Sequence, residues 1–285
     1  MLPVLILLTF AWASHKQDGF AQSTLRSGVS KVGATTDPCT DSSIHPAVKD
    51  AFQLVCSKER IEGAEASPHA AIVIGFLGGF VSRDDLKHPE VSFANYVRNR
   101  YGPAVDAEVF GNHQGQEALN LVLERVYGNN PDSARKPGNQ TTQVILYGHS
   151  WGASQVLEFA RELERRGVPV ALTIQVDSVR KMGQNDRTVP ANVAKAVNFY
   201  QRKGFTPGRP LIVPADKERT TILGNFHMTY KDAKIRCDNY RWLSRKLNKP
   251  HHLIENDPHV WDRIVSLIDS ELIPTSNTQA AQSRQ

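Results

Sequence analysis

The sequence predicts an α/β domain, a mostly parallel sheet with helices on both faces. Three observations carry that reading. Short apolar runs alternate with stretches of helical periodicity between about residues 68 and 273. One apolar run is joined to the helical stretch after it by a Gly-x-Ser-x-Gly turn. The 285 residues are 40% hydrophobic and 22% charged, ordinary for a globular chain, and no apolar run is long enough for a membrane span.

Leu2 to Ala13 is apolar, and Ala11-Trp12-Ala13 supplies a small-x-small pattern behind it, although Met1 leads into the run with no basic stretch. Residues 1–22 read as a signal-like segment, so the protein is expected to be exported, periplasmic or secreted. Residues 23–66 form an N-terminal arm; the stretch 14–36 is polar and expected to have little fixed structure. Of the 3 cysteines, Cys39 and Cys56 are the local pair for a disulfide in an exported chain, which leaves Cys237 free or buried. His45 to Cys56 has the apolar spacing of a short helix.

The main domain, 67–273, begins with a buried strand, Ala70 to Ile74, and the loop Gly75-Phe76-Leu77-Gly78-Gly79-Phe80. A helix is predicted over Ser92–Tyr101, a strand over Val105–Phe110 and a helix over Gln116–Tyr127. Gly128 to Gln140 is a loop by composition. Gln143 to Tyr147 is a strand, and Ala153, Val156, Leu157, Ala160 and Leu163 mark a helix that Gly167 stops. Val168 to Val176 is a strand ending at Asp177. Leu211-Ile212-Val213 is a further strand candidate, and Val260 to Leu272 is the last helix. Residues 274–285 are a polar tail, expected to be disordered. There is no internal repeat.

Gly148-His149-Ser150-Trp151-Gly152 is the centre of the chain. With 19 glycines, chance supplies about 0.08 such patterns, and a strand before with a helix after makes chance poorer still. A serine on that sharp turn stands at the sheet edge with its hydroxyl exposed. The helix N-terminus and the Trp151 N–H then face any negative charge developing on a bound carbonyl. A serine hydroxyl needs a base, and the base needs an orienting acid. Two acids end predicted strands downstream of the turn, Asp177 and Asp216, and spacing does not separate them. The base must come late: His251, His252 and His259 precede or open the last helix, and His227 is earlier. A second oxyanion donor is expected from the glycine-rich loop, the N–H of Phe76 or Leu77.

Other classes are disfavoured. The net charge is +5, but the basic residues form local groups, Arg161/Arg165/Arg166 and Arg241/Arg245/Lys246, rather than a continuous nucleic-acid footprint. There is no Cys-x-x-Cys and no His-Glu-x-x-His, so no metal is expected.

The chain resembles the α/β-hydrolase superfamily, and more narrowly bacterial lipase- and esterase-like proteins, many of them exported and of unassigned substrate. The likeness spans about residues 68–273. It rests on the Gly75–Phe80 loop, the Gly-His-Ser-x-Gly turn and Val176-Asp177-Ser178-Val179. It also rests on Val189–Val193 leading to Asn198–Gln201, and on His252-Leu253-Ile254-Glu255 ahead of Asp257–Trp261. The resemblance implies Asp177 as the acid and His252 as the base. Two departures stand out: Ile74-Gly75 replaces the His-Gly of many relatives, and the doublet His251-His252 leaves the base open by one residue. The implied activity is hydrolysis of a carboxylic ester, small-molecule or lipid, through an acyl-enzyme on Ser150, without a cofactor. A thioesterase or amidase would use the same groups, and a non-catalytic binding protein could share the fold. Phe76, Leu77, Phe80, Trp151 and Phe226 are candidates to line an acyl pocket.

Overall fold

The computed structural model describes residues 37–58, 71–128, 142–231 and 233–273. The signal-like segment, the first part of the arm, most of the predicted loop at 128–140 and the polar tail lie outside the described residues.

Strands β1 (Ala71–Leu77), β2 (Val105–Gly111), β3 (Gln143–His149), β4 (Val170–Val176), β6 (Val193–Tyr200) and β8 (Thr221–His227) form one sheet in the order β2-β1-β3-β4-β6-β8. Every pairing in it is parallel. The reason is in the sequence: β1 is buried along its whole length and β3 along nearly all of it, as a strand covered on both faces must be. β5 (Thr188–Val189) and β7 (Val213–Pro214) make a separate two-stranded pair.

Helices cover both faces. On one side α1 (Pro46–Phe52), α2 (Pro89–Tyr101) and α7 (Pro258–Leu272) enclose Phe52, Phe93, Tyr96 and Trp261. Trp261 sits 5.4 Å from the ring of Phe52 and 4.9 Å from that of Phe93. Burying each such aromatic contributes about 1.5–3 kcal/mol. On the other side α3 (Gly115–Tyr127) and α4 (Trp151–Arg165) pack Leu119, Val156, Phe159 and Leu163 onto Ile72, Phe76 and Leu146. Two short helices, α5 (Trp242–Leu247) and α6 (Lys249–Glu255), precede α7. Cys39 and Cys56 form a disulfide that ties the residues ahead of α1 to the turn after it, and Cys237 is free and buried. No helix among the described residues is long and apolar enough to cross a membrane.

Several expectations shift. Leu211-Ile212-Val213 contributes only the two-residue β7, outside the main sheet, because Leu211 is exposed and only Ile212 is inserted into the core. The fifth and sixth strands of the sheet are β6 and β8. β8 has a weak apolar pattern because it lies at the sheet edge, half exposed.

β1 pairs with β2 on one side and β3 on the other, so the chain reverses its winding there. The carboxyl ends of β1 and β3 open the crevice where parallel α/β sheets hold ligands.

Candidate active site

Ser150 links β3 to α4 with φ 58° and ψ −122°, a conformation L-residues avoid. Two hydrogen bonds hold it there: the Ser150 N–H donates to the Val176 carbonyl (3.0 Å), and the Val179 N–H donates to the Ser150 carbonyl (3.1 Å). Val176 directly precedes Asp177 and Val179 follows two residues later, so the turn is fastened to the end of β4. Ser150 occupies the N-cap position of α4, yet its side chain makes no capping bond.

The glycines are dictated by contact. A Cβ on Gly152 would collide with the Phe76 carbonyl, and one on Gly148 would lie 2.6 Å from the Gly152 carbonyl carbon. Only glycine lets the start of α4 slide against the end of β1. Gly78 approaches from the other side; its Cβ would stand 3.1 Å from the Cβ of Ser150.

Gly78, the residue after Phe76 and Leu77, thus packs against Ser150. Phe76 and Leu77 belong to β1, in register with Phe110 and Gly111 of β2, and both side chains are wholly buried. Gly75 has a packing role: its missing Cβ makes room for the ring of Tyr147, whose hydroxyl donates to the Glu90 carbonyl (2.9 Å). That accommodation explains the glycine at 75. Trp151 is the first residue of α4, half-buried, edge-on to an exposed Phe80 at 5.7 Å. Phe226 lies on β8 under the guanidinium of Arg263.

Asp177 is completely buried, with φ 46°. Its Oδ1 accepts from the Gln201 backbone N–H (2.9 Å), and its Oδ2 accepts from Gln201 Nε2 (2.8 Å). His251 Nδ1 lies 2.6 Å from the same Oδ2. A side chain at Gly208 would collide with Oδ1, so the loop after β6 closes over the carboxylate. Asp216 is elsewhere: it follows β7, and its carboxylate accepts from the Glu218 N–H in a turn (2.9 Å).

The histidine on Asp177 is His251, and the expected pairing with His252 is not formed. Successive residues on a helix point about 100° apart, so α6 can present only one of the doublet to β4. His252 faces the other way, with Nε2 2.7 Å from Ser244 Oγ and its ring stacked on Tyr240 at 3.8 Å. His259 is exposed in the first turn of α7, and His227 is exposed at the end of β8.

Burial lowers the His251 pKa below the usual 6.5, and the nearby charge of His149 pushes the same way, while Asp177 opposes both. The rings of His149 and His251 are 4.4 Å apart. Burial alone would also depress His149, but the charge of Glu255 and the contact with Glu90 override it and lift His149 to about 9.

His149 thus belongs to a second buried cluster that motif reading did not single out. Its Nδ1 is 3.4 Å from Glu90 Oε1 and 3.4 Å from Glu255 Oε2. His88 Nδ1 lies 3.2 Å from Glu255 Oε1. Burial raises the pKa of Glu90, and the charge of Glu255 adds to it. Burial would raise Glu255 as well, yet His149, His252 and His88 outweigh it and hold Glu255 well below the usual range. Potential metal donors from His149, Asp177 and His251 lie within 4.8 Å of one another, as do those from His88, Glu90 and Glu255. The signals were present, a histidine inside the Gly-x-Ser-x-Gly turn and an acid at the end of α6, but nothing in their spacing joins them to α2.

No family model matches the chain, and no curated protein matches it in sequence. It is similar to a solved structure described as "RedJ with PEG molecule bound in the active site", at 16% identity and a TM-score of 0.25. The match covers 42% of this chain and spans half the length of the other, 50%. A likeness at that level carries no argument about activity.

Proposed function

We propose that the chain is a serine hydrolase of the α/β-hydrolase type, cleaving a carboxylic ester through an acyl-enzyme. One observation carries the reading. The 2.6 Å contact between His251 and Asp177 is built beside Ser150, whose backbone is hydrogen-bonded to Val176, just before that carboxylate, and to Val179, two residues after it. In this reading Asp177 fixes the imidazole with its proton on Nδ1. Nε2 of His251 takes the Ser150 proton as the hydroxyl attacks the carbonyl, and later returns it to the leaving group. The N–H of Trp151, assisted by the N-terminus of α4, and one from the Phe76-Leu77-Gly78 segment receive the oxyanion. Water then releases the acyl group. The lowered pKa of His251 keeps it neutral and ready as a base at neutral pH.

Phe80 and Trp151 form an apolar rim next to the turn, which favours an apolar acyl group. The Cys39–Cys56 disulfide supports export to an oxidising compartment.

Labelling with a fluorophosphonate probe tests the reading. Wild type should label and Ser150→Ala should not, with p-nitrophenyl ester hydrolysis falling by at least about 10⁴-fold in the variant. Equal labelling of both, or none of the wild type, overturns it.

A further inference from the structure

We infer that His88, Glu90 and Glu255, with His149 as fourth donor, form a binding site for a divalent cation of the zinc type. The site lies behind the Ser150 turn and does not depend on the reaction proposed there.

The argument begins with distances. Four contacts join imidazole nitrogens to carboxylate oxygens in this cluster: 3.2 Å from His88 to Glu255, 3.4 Å from His149 to each of Glu90 and Glu255, and 4.0 Å from His252 to Glu255. Charge-assisted hydrogen bonds run about 2.7–2.9 Å. Asp177 and His251, a few ångströms away, meet at 2.6 Å, so the fold can bring such groups together when they bond directly. The cluster is looser, and its closest pair is the 3.2 Å hydrogen bond between His88 and Glu255. Donors at about 2.0–2.1 Å from a tetrahedral zinc lie about 3.4 Å from one another, which is the separation between His149 and the two glutamates.

The second observation is unsatisfied polarity. Glu90 Oε2 is buried and has no hydrogen-bond partner. Glu90 and Glu255 are almost completely buried, at 2% and 3% exposure. Buried carboxyl oxygens rarely stay unpaired, and here one of them belongs to a group whose donors gather within 4.8 Å.

Charge gives the third support. Two buried carboxylates require compensation of about two positive charges. Protons on His88 and His149 can supply it. One divalent ion supplies the same charge at a single point, makes both imidazoles neutral ligands and releases their protons. A mixed set of imidazole and carboxylate suits zinc, and it is a poor site for magnesium or calcium, which take oxygen donors. The donors come from the start of α2, the end of β3 and the end of α6, three rigid elements, as a preformed site needs.

The test uses the full chain, treated with a chelator and dialysed against Zn²⁺. One ion per chain is expected, with a rise in melting temperature. Glu90→Gln and His88→Asn should each weaken Zn²⁺ binding at least tenfold. Ser150→Ala should bind as wild type does, which separates this site from the hydrolase reading. The exposed His227→Asn should also leave binding unchanged. Should a variant fail to fold, X-ray absorption on the zinc-loaded wild type decides: a shell of two nitrogens and two oxygens at about 2.0–2.1 Å supports the site. Failure of folded wild type to bind Zn²⁺, a sulfur in the shell, or unchanged affinity in Glu90→Gln overturns it.

Discussion

Asp177 and Glu255 are both buried, both face histidines and lie close together, yet they are built in opposite ways. Asp177 is saturated: the Gln201 backbone, the Gln201 side chain and His251 engage it at 2.9, 2.8 and 2.6 Å. Glu255 is ringed by His88, His149 and His252 at 3.2, 3.4 and 4.0 Å, with a hydrogen bond to Tyr240 besides. A carboxylate that must hold one imidazole in one tautomer needs its lone pairs committed. A carboxylate that shares its charge among several imidazoles is left open to whatever cation binds there, proton or metal. His149 stands between the two and couples them: it adds positive charge beside His251 and draws its own from the glutamates.

The largest effect that would break this comparison is a swap within the histidine doublet. His251→Ala should lower kcat/KM for a p-nitrophenyl ester by about 10³–10⁴-fold, and His252→Ala by no more than about tenfold. The reverse would mean that the saturated carboxylate is not the orienting one. Next, Asp177→Asn should cost about 10²–10⁴-fold in kcat, whereas Asp216→Asn, a turn residue, should stay within about twofold. On the other side of the contrast, Glu255→Gln removes the counter-charge of His149 and His88. It should destabilise the fold by about 3 kcal/mol in urea titrations. A neutral result would mean the cluster is not ionised.

The smallest effect is in the pH dependence of the chelator-treated protein. His149 has a folded pKa of about 9 against an unfolded value near 6.5. The stability it contributes is complete below about 6.5 and is lost as pH rises through about 9. His88, also raised, acts in the same direction. The unfolding free energy should therefore fall across that window, and His149→Asn should flatten the slope. His251 has the opposite sign: its lowered pKa places the acid limb of activity below the ordinary histidine range.

Much of the fold was legible because each signal is local. The strands over 71–77 and 143–149 are near-continuous apolar runs, and α4 follows its buried residues, Val156, Leu157, Ala160 and Leu163. The glycines of the Ser150 turn were legible for the same reason: a close backbone approach demands them wherever it occurs. β8 was not, since an edge strand with one wet face lacks the apolar run that marks a central one. Gln201, which holds Asp177 from two sides, was visible only as part of a resemblance.

The sequence by itself determined the alternation of strand and helix and the sharp serine turn. It also limited the candidate partners of Ser150 to a few named side chains, because period, glycine spacing and residue type act over a few neighbours. Only the tertiary structure paired Asp177 with His251 rather than His252, set Asp216 in a separate turn and brought Gly78 against Ser150. It alone brought Glu90 to Glu255. Those choices depend on how α6, α2 and the loop after β1 are rotated and set against the sheet. One residue of rotation on a helix turns a side chain by about 100°, and no local pattern records it.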